Sequence, residues 1–289
     1  MPSTEPIDLH YRGGERVIGC YLLETDDGLA LNDCGPAVCV PALERGLADR
    51  GVSLQDIGHL LLSHIHLDHA GAAGVLVREN PRLMVHVSEI GAPHLVDPSR
   101  LERSARRLYG EAFDELWGEL APVPEGNIAL LEDEVLGLET FPTPGHASHH
   151  ACYLATDGTL YAGDAAGVRI QPDAYVCPPT PPPEFDLETW LRTIDEIERR
   201  APERLALIHF GVAEDPGPHL DQLRKRLREW AAEDLSEDGW LRRREAERAA
   251  ASQDPEVYER AMPLWQSYAG LRRYWDKLAP TGDATIASR

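Results

Sequence analysis

Lysine is almost absent from this chain: Lys225 and Lys277 are the only two among 289 residues, and arginine supplies nearly all the positive charge. We read that substitution as compositional bias, not as function. Positive charge as a whole is scarce, 28 lysines and arginines against 49 aspartates and glutamates, for a formal net charge of −21. Such a surface repels phosphate backbones and anionic lipid headgroups, so neither nucleic acid nor membrane is an expected partner. Long apolar runs are missing too; no stretch approaches the roughly 18 residues that a membrane-spanning helix needs. Met1-Pro2-Ser3-Thr4-Glu5-Pro6 carries neither the basic nor the apolar region of a secretory signal. The cysteines are few and odd in number (Cys20, Cys34, Cys39, Cys152 and Cys177) and form no Cys-x-x-Cys pair, which argues against a disulfide framework and against a cysteine-based zinc site. Reduced, mainly buried thiols in a cytoplasmic protein are the expectation.

What is present is an ordinary globular composition, 43% hydrophobic and 27% charged, long enough for one large domain or two small ones. Val17 to Leu23 and Leu29 to Asn32 read as strands joined by the turn Thr25-Asp26-Asp27-Gly28, a hairpin. Pro41 to Arg50 reads as a helix, His59 to Leu62 as a short buried strand, Ala72 to Glu79 as a helix, and Leu83 to Val87 as a strand. Ser88 is placed to cap a short helix behind it. Ser99 to Leu120 has a helical stripe of Leu101, Leu108, Phe113, Leu116 and Leu120, ended by Pro122 and Pro124. Strands are expected at Ile128 to Leu131, Leu136 to Phe141, Ala151 to Ala155 and Thr159 to Ala162, with Thr156-Asp157-Gly158 as a hairpin turn between the last two. The proline-rich run Cys177 to Pro183 is a stiff extended connector to a helix over Asp186 to Arg200, and Leu205 to Ile208 is a strand ending at His209. From Pro218 the pattern is helical in about three segments to Leu278.

The chemistry concentrates in Leu61-Leu62-Ser63-His64-Ile65-His66-Leu67-Asp68-His69. Three histidines and an aspartate directly behind an apolar strand are costly to bury without partners. Imidazole and carboxylate suit zinc, iron and manganese, so a metal ion is the cheapest common partner. Asp33, His146, Asp164 and His209 stand at the ends of other apolar segments. Strand ends on one side of a sheet converge, so these residues can share one cleft.

The chain here resembles the metallo-β-lactamase-fold hydrolases. The His-x-His-x-Asp-His signature falls on His64, His66, Asp68 and His69, the Pro-Gly-His on His146, the Gly-Asp on Asp164, and the strand-end histidine on His209. Asp33-Cys34-Gly35 stands at an early Asp-x-Gly-like position, and the resemblance runs from about Ile7 to Gly211. It implies a four-layer αββα sandwich, an α/β (α+β) fold, with a C-terminal helical extension. It also implies two divalent metal ions, zinc first with iron or manganese as alternatives. His64, His66 and His146 would hold one, Asp68, His69 and His209 the other, and Asp164 would bridge them. The implied reaction is hydrolysis: a hydroxide between the metals attacks a carbonyl or phosphoryl centre, with Asp68 orienting the nucleophile or passing a proton to the leaving group. His150 and Asp33 are expected behind the ligands, with Tyr175 beside the Asp164 loop. His149, where relatives often have glycine, is either an exposed loop residue or a pocket contact. His10, His59, His86, His94 and His219 read as ordinary surface or half-buried residues.

A bridging aspartate separates this pattern from true β-lactamases, which carry cysteine or serine near that position, and resembles the branch of hydroxyacylglutathione hydrolases, lactonases and other ester or thioester hydrolases. The expected substrate is therefore a small-molecule ester, thioester or lactone. A phosphodiesterase or nuclease would share the ligands but is disfavoured by the acidic charge. A single-iron sulfur dioxygenase remains the other alternative. Residues 1–217 are read as the catalytic domain, 218–278 as the helical extension and 279–289 as a flexible tail. The extension, rich in tryptophan at Trp230, Trp240, Trp265 and Trp275, has three roles open to it: packing on the core, a lid, or a homodimer interface. Ser99 to Leu120 and Pro178 to Pro183 are additions that either pack outside or cover the cleft, with Tyr109, Phe113 and Trp117 as its wall.

Overall fold

The computed structural model describes residues 5–233 and 235–278; the expected tail 279–289 and the first four residues lie outside them. Two six-stranded sheets form the centre. The first runs in the order β1 (Ile7–Asp8), β2 (Gly19–Thr25), β3 (Gly28–Asn32), β4 (Ile57–Leu61), β5 (Met84–Val87) and β6 (Ile128–Leu130). Its first three strands are antiparallel neighbours; β3 to β6 are parallel. The second sheet comprises β7 (Glu134–Val135), β8 (Leu138–Pro142), β9 (Ala151–Leu154), β10 (Thr159–Tyr161), β11 (Arg204–Leu207) and β12 (Gly211–Ala213), antiparallel throughout except for the parallel pair β10–β11.

The sheets face one another. Tyr21, Leu23, Ala30 and Leu61 of the first pack against Val135, Leu138, Tyr153 and Ala206 of the second. Two buried phenols stitch the faces together: Tyr21 donates to the carbonyl of Leu207 at 2.9 Å, and Tyr153 to that of Leu62 at 2.7 Å. Helices flank this pair, so the two mixed sheets have the layered architecture the motifs imply. These are α1 (Val40–Ala48), α2 (Leu67–Ala70), α3 (Ala73–Glu79), α4 (Ala92–Val96), α5 (Ser99–Tyr109), α6 (Phe113–Trp117), α7 (Leu187–Arg200), α8 (Pro216–Ala232), α9 (Glu237–Ala251), α10 (Pro255–Ala261) and α11 (Leu264–Leu278). Helix α7 starts where the Asp186 side chain, as N-cap, accepts the Thr189 backbone N–H. Trp230, Trp240, Tyr258 and Leu271 of the C-terminal helices are fully buried in the same continuous core as Leu60 and Leu205 of the strands. Among the described residues, no helix is long and apolar enough to cross a membrane.

Three expectations need correction. The stripe over Ser99 to Leu120 is two helices, because Gly110 takes φ 58° and ψ −134°, which no right-handed helix continues through. The strand over Leu136 to Phe141 starts later, since Leu136 and Gly137 turn a hairpin with positive φ between β7 and β8. The C-terminal region holds four helices, Pro255 and Pro263 marking the last two starts. The short strands β1 and β12 escaped notice because two or three residues show no period.

Parallel neighbours β3 and β4 end at one edge of their sheet, and β10 and β11 end at one edge of theirs. Backbone bonds join those edges: Ala151 N–H donates to Ser63 O at 2.8 Å, and Gly19 N–H to Ile208 O at 2.8 Å. Tyr153→Phe leaves the Leu62 carbonyl buried without its donor, so stability should fall by about 1–2 kcal/mol in urea unfolding with the fold retained.

Candidate metal centre

The signature His-x-His-x-Asp-His begins three residues past the end of β4, and its second half forms α2, so alternation and a helical turn aim its side chains in different directions. Asp33, just past β3, fixes the start. It is fully buried at φ 55°, a left-handed conformation costing a non-glycine residue on the order of 1–3 kcal/mol. Its carboxylate accepts the Ser63 backbone N–H at 2.8 Å, the Ser63 hydroxyl at 2.7 Å, and pairs with His69 Nδ1 at 2.9 Å.

The same device recurs around the cluster. His64 Nδ1 lies 3.0 Å from Ser63 Oγ, His146 Nδ1 2.8 Å from Pro179 O, and His209 Nδ1 2.6 Å from Val17 O. With Nδ1 tied back, His64, His69, His146 and His209 turn Nε2 inward. His66 turns Nδ1 inward instead, 2.9 Å from both His64 Nε2 and His146 Nε2. Asp164 lies between two groups of donors: Oδ2 is 3.3 Å from His146 Nε2, while Oδ1 is 3.5 Å from His69 Nε2 and 3.7 Å from His209 Nε2. Asp68 Oδ2 faces His209 Nε2 at 3.5 Å and His69 Nε2 at 3.9 Å.

Asp164 is held from behind. Its backbone N–H donates to His150 Nε2 at 3.1 Å, and His150 Nδ1 bonds Thr143 Oγ1 at 2.7 Å. Gly163 before it has φ 47°, and a Cβ there would come within 2.6 Å of the Ser63 Cβ and 2.7 Å of His150 Nε2. Only glycine lets the Asp164 loop approach the signature this closely.

The donors fall into compact sets, each with its ligand atoms mutually within 4.8 Å: His64, His66 and His146; Asp68, His69 and His209; and His64, His69 and Asp164. Two buried atoms in them, His69 Nε2 and Asp164 Oδ1, have no hydrogen-bond partner among the described residues. Orphaned buried polar atoms are rare, and three inward ring nitrogens at 2.9 Å repel unless a proton or a cation lies between them. A nitrogen- and oxygen-donating set of this kind fits divalent metal ions.

The electrostatics divide accordingly. Burial, with the neighbouring imidazoles, holds His64 well below the usual histidine value and His66 down at about 4. Burial lowers His146 as well, against the Asp164 charge. Burial opposes protonation of His69 also, but there Asp164, Asp68 and Asp33 outweigh it and the net shift is well upward. His209 is raised too, its burial outweighed by the Asp68 hydrogen bond and the Asp164 charge. Burial would raise the two carboxyls, yet the histidines prevail: Asp68 is held at about 2 and Asp164 well below its ordinary range.

The cluster forms the base of a cavity of about 910 Å³. Its walls come from α5 and α6, from Pro179 to Pro183, and from α10 and α11, so both additions and the C-terminal helices cover the cleft. Tyr109 and Trp117 line it; Phe113 does not, being fully buried against Leu67 and Ala105. His149 is a pocket contact, with its ring stacked 5.9 Å from that of His64 and Nε2 4.0 Å from Glu184. His94 is half-buried, one of the two expected states, and also lines the cavity; His219 is wholly buried, with Nε2 2.7 Å from Ala166 O, which neither expected state allows. Tyr175 lies elsewhere, its ring 5.3 Å from Tyr258 and 4.4 Å below the Arg226 guanidinium, and it does not line the cavity. Sequence reasoning missed Tyr11, which lines the cavity from the N-terminal segment, and the carbonyl anchors Val17 and Pro179. A backbone carbonyl leaves no trace in residue type; Ser63, directly before the signature, was there to be seen.

The carboxylates that raise His69 and His209 above their ordinary values make a proton a stronger competitor for a cation at Nε2 there than at an ordinary imidazole. Metal loading should therefore release protons, and affinity should rise with pH from acid to neutral. Calorimetric titration in two buffers of different ionisation enthalpy reads the release directly; none would contradict this assignment. Asp33→Asn keeps the shape but removes the charge behind His69, and should weaken metal binding by about 10–100-fold in chelator competition.

Comparison with known proteins gives the family and the fold. The Metallo-beta-lactamase superfamily pattern matches residues 13–209. The uncharacterized protein YobT of Bacillus subtilis (strain 168) is 26% identical over 223 residues, 71% of this chain and 88% of that protein. A hydroxyacylglutathione hydrolase of Cupriavidus taiwanensis is 29% identical over 148 residues, 50% of this chain, and the chain spans only 48% of that relative's length. The crystal structure of ST1585 from Sulfolobus tokodaii, an archaeal metallo-beta-lactamase superfamily protein, shares the fold with a TM-score of 0.64 at 19% identity, covering 94% of this chain and 96% of that one. With the matched region ending on the strand-end histidine of the cluster, the chain belongs to the metallo-beta-lactamase superfamily.

Proposed function

We propose that the protein is a hydrolase that holds two divalent cations and cleaves an ester, thioester or lactone bond of a small molecule. One observation carries this reading: two donor triads meet across a single carboxylate, Asp164, at the base of an open cavity. His64, His66 and His146 would hold one cation, and Asp68, His69 and His209 the other. Asp164 offers one oxygen toward each set. When bound, such a pair supplies Lewis acidity that polarises a carbonyl oxygen and acidifies water. Zinc suits these donors best, and iron and manganese also fit.

The chain's own residues do the rest. Asp68 is only partly covered and lines the cavity, so its carboxylate can accept a hydrogen bond from water and orient it toward a carbonyl above the cluster. The hydrogen bonds at Nδ1 keep the imidazoles from rotating, so the cluster presents the same face through each turnover. The walls from α5, α6 and α11 exclude water from the far side and hold the substrate body. The named activity of the Cupriavidus relative, hydrolysis of a hydroxyacylglutathione, supports ester-type chemistry.

Purified protein assayed for metal content and for turnover of lactones, thioesters, carboxylic esters and phosphodiesters tests the reading. Two metal ions with turnover of an ester-type substrate is the expected result. One iron per chain with oxygen consumption would overturn it in favour of dioxygenation, and turnover of phosphodiesters alone would replace the substrate class. Asp68→Asn should retain most bound metal, read by elemental analysis, while turnover falls by about 10²–10⁴-fold; near-normal turnover would remove Asp68 from the mechanism.

A further inference from the structure

The cavity wall is ordered in a way that the metal cluster does not require. Tyr11 stacks on Trp117 with ring centroids 5.9 Å apart and planes at 25°; Tyr109 meets Trp117 edge-on at 5.1 Å; Trp265 meets Tyr109 edge-on at 6.1 Å. All four line the cavity. Exposure rises along this series from 5% at Tyr11 to 38% at Trp265, so it forms an aromatic track from the interior to the solvent.

Charge at the same cavity runs against the rest of the molecule. Arg12, beside Tyr11, Arg100 on α5 and Arg273 on α11 line it, all three exposed. Among the described residues, none of the three makes an ion pair or a hydrogen bond through its side chain. The acids of the wall are already engaged: Glu259 pairs with Arg248 at 2.6 Å, and Glu184 accepts the Ser148 hydroxyl at 2.6 Å and its backbone N–H at 2.8 Å. A protein of net charge −21 repels anions in bulk, yet three unengaged guanidinium groups from three separate elements surround this one opening. Guanidinium is suited to carboxylate and phosphate, to which it donates in a bidentate fork.

We propose that the substrate is an anionic ester or thioester, whose apolar chain or ring lies along the Tyr11–Trp117–Tyr109–Trp265 track and whose terminal carboxylate or phosphate is held by Arg12, Arg100 and Arg273. This rests on the hydrolase reading above for the bond that is cut; the anion subsite itself does not. The three arginines are exposed, so each contributes modestly and the sum is felt in binding more than in the chemical step.

Three esters of one chain length separate the cases: 4-nitrophenyl hexanoate, the mono-4-nitrophenyl ester of adipic acid, and 4-nitrophenyl 6-phosphonooxyhexanoate. The metal-loaded enzyme should show a KM roughly tenfold lower for one or both anionic esters than for the neutral one, with kcat comparable. Which anionic ester gains tells carboxylate from phosphate. The ratio should collapse toward unity in Arg100→Gln/Arg273→Gln and in about 0.5 M NaCl. Equal KM for all three esters, or a preference that survives the double variant, overturns the proposal. A binding arm needs no turnover: hexyl phosphate and hexanoate, each against hexanol, are titrated by tryptophan fluorescence. Arginine-dependent binding of either anion in a protein that hydrolyses none of the esters leaves the anion subsite standing and removes the hydrolase reading. Turnover of esters without anion preference does the reverse.

Discussion

Five imidazoles and two carboxylates crowded into one buried point is the constraint on which the rest of the structure depends. Ring nitrogens 2.9 Å apart have no reason to stay together in a protein that could bury leucine there instead. What keeps them is the tether at the other nitrogen. Four of the rings are fixed at Nδ1, by Ser63, Asp33, Pro179 and Val17, and each tether reaches a different part of the chain. The cluster is therefore a convergence of tethers, and its geometry is only as good as the relative placement of their backbones.

That placement is the task of the two sheets. His64 and His69 ride on the edge of the first and Asp164 and His209 on the edge of the second, so a slip of one sheet over the other would pull the donor sets apart. The phenols of Tyr21 and Tyr153, each bonded to a carbonyl of the opposite sheet next to a site loop, resist that slip with directional contacts that apolar packing alone does not supply. The left-handed Asp33 is the local counterpart: strain at one backbone position is accepted because its carboxylate satisfies Ser63 and His69 at once.

Much of this was legible in the sequence, for reasons that also explain what was not. The signature His64 to His69 could be read because polar side chains at a strand end violate the burial pattern around them, and His146, Asp164 and His209 because each repeats the violation. Hairpins such as Thr25 to Gly28 follow from turn chemistry between alternating segments. The cavity wall was only half legible. Ser99 to Leu120 was visible as an addition, but its break at Gly110 decides that Tyr109 and Trp117 turn toward the cavity while Phe113 turns into the core, and a helical stripe does not distinguish these. Tyr175 was misplaced because proximity in sequence to the Asp164 loop is not proximity in space: the chain carries its ring toward Tyr258 and Arg226 of the C-terminal helices. Tyr11 and Trp265 lie more than 250 residues apart and share a wall only through the tertiary fold.

The C-terminal helices bear on the centre by a short mechanical route. Helix α11 lies directly on the proline-rich loop: any side chain at Gly270 would collide with the carbonyl of Thr180, and the Thr180 hydroxyl donates to Ser267 O at 3.0 Å. One residue earlier, Pro179 offers the carbonyl that orients His146. Between them the prolines leave the backbone few alternatives, so displacement at α11 is passed on and not absorbed. The same helix presents Trp265 and Arg273 to the cavity. Elements outside the matched region 13–209 thus both shape the opening of the cavity and brace one ring of the cluster. A substitution that loosens α11 should therefore disturb the donor geometry along with the wall, and the extension is better regarded as part of the site than as a separate layer added to it.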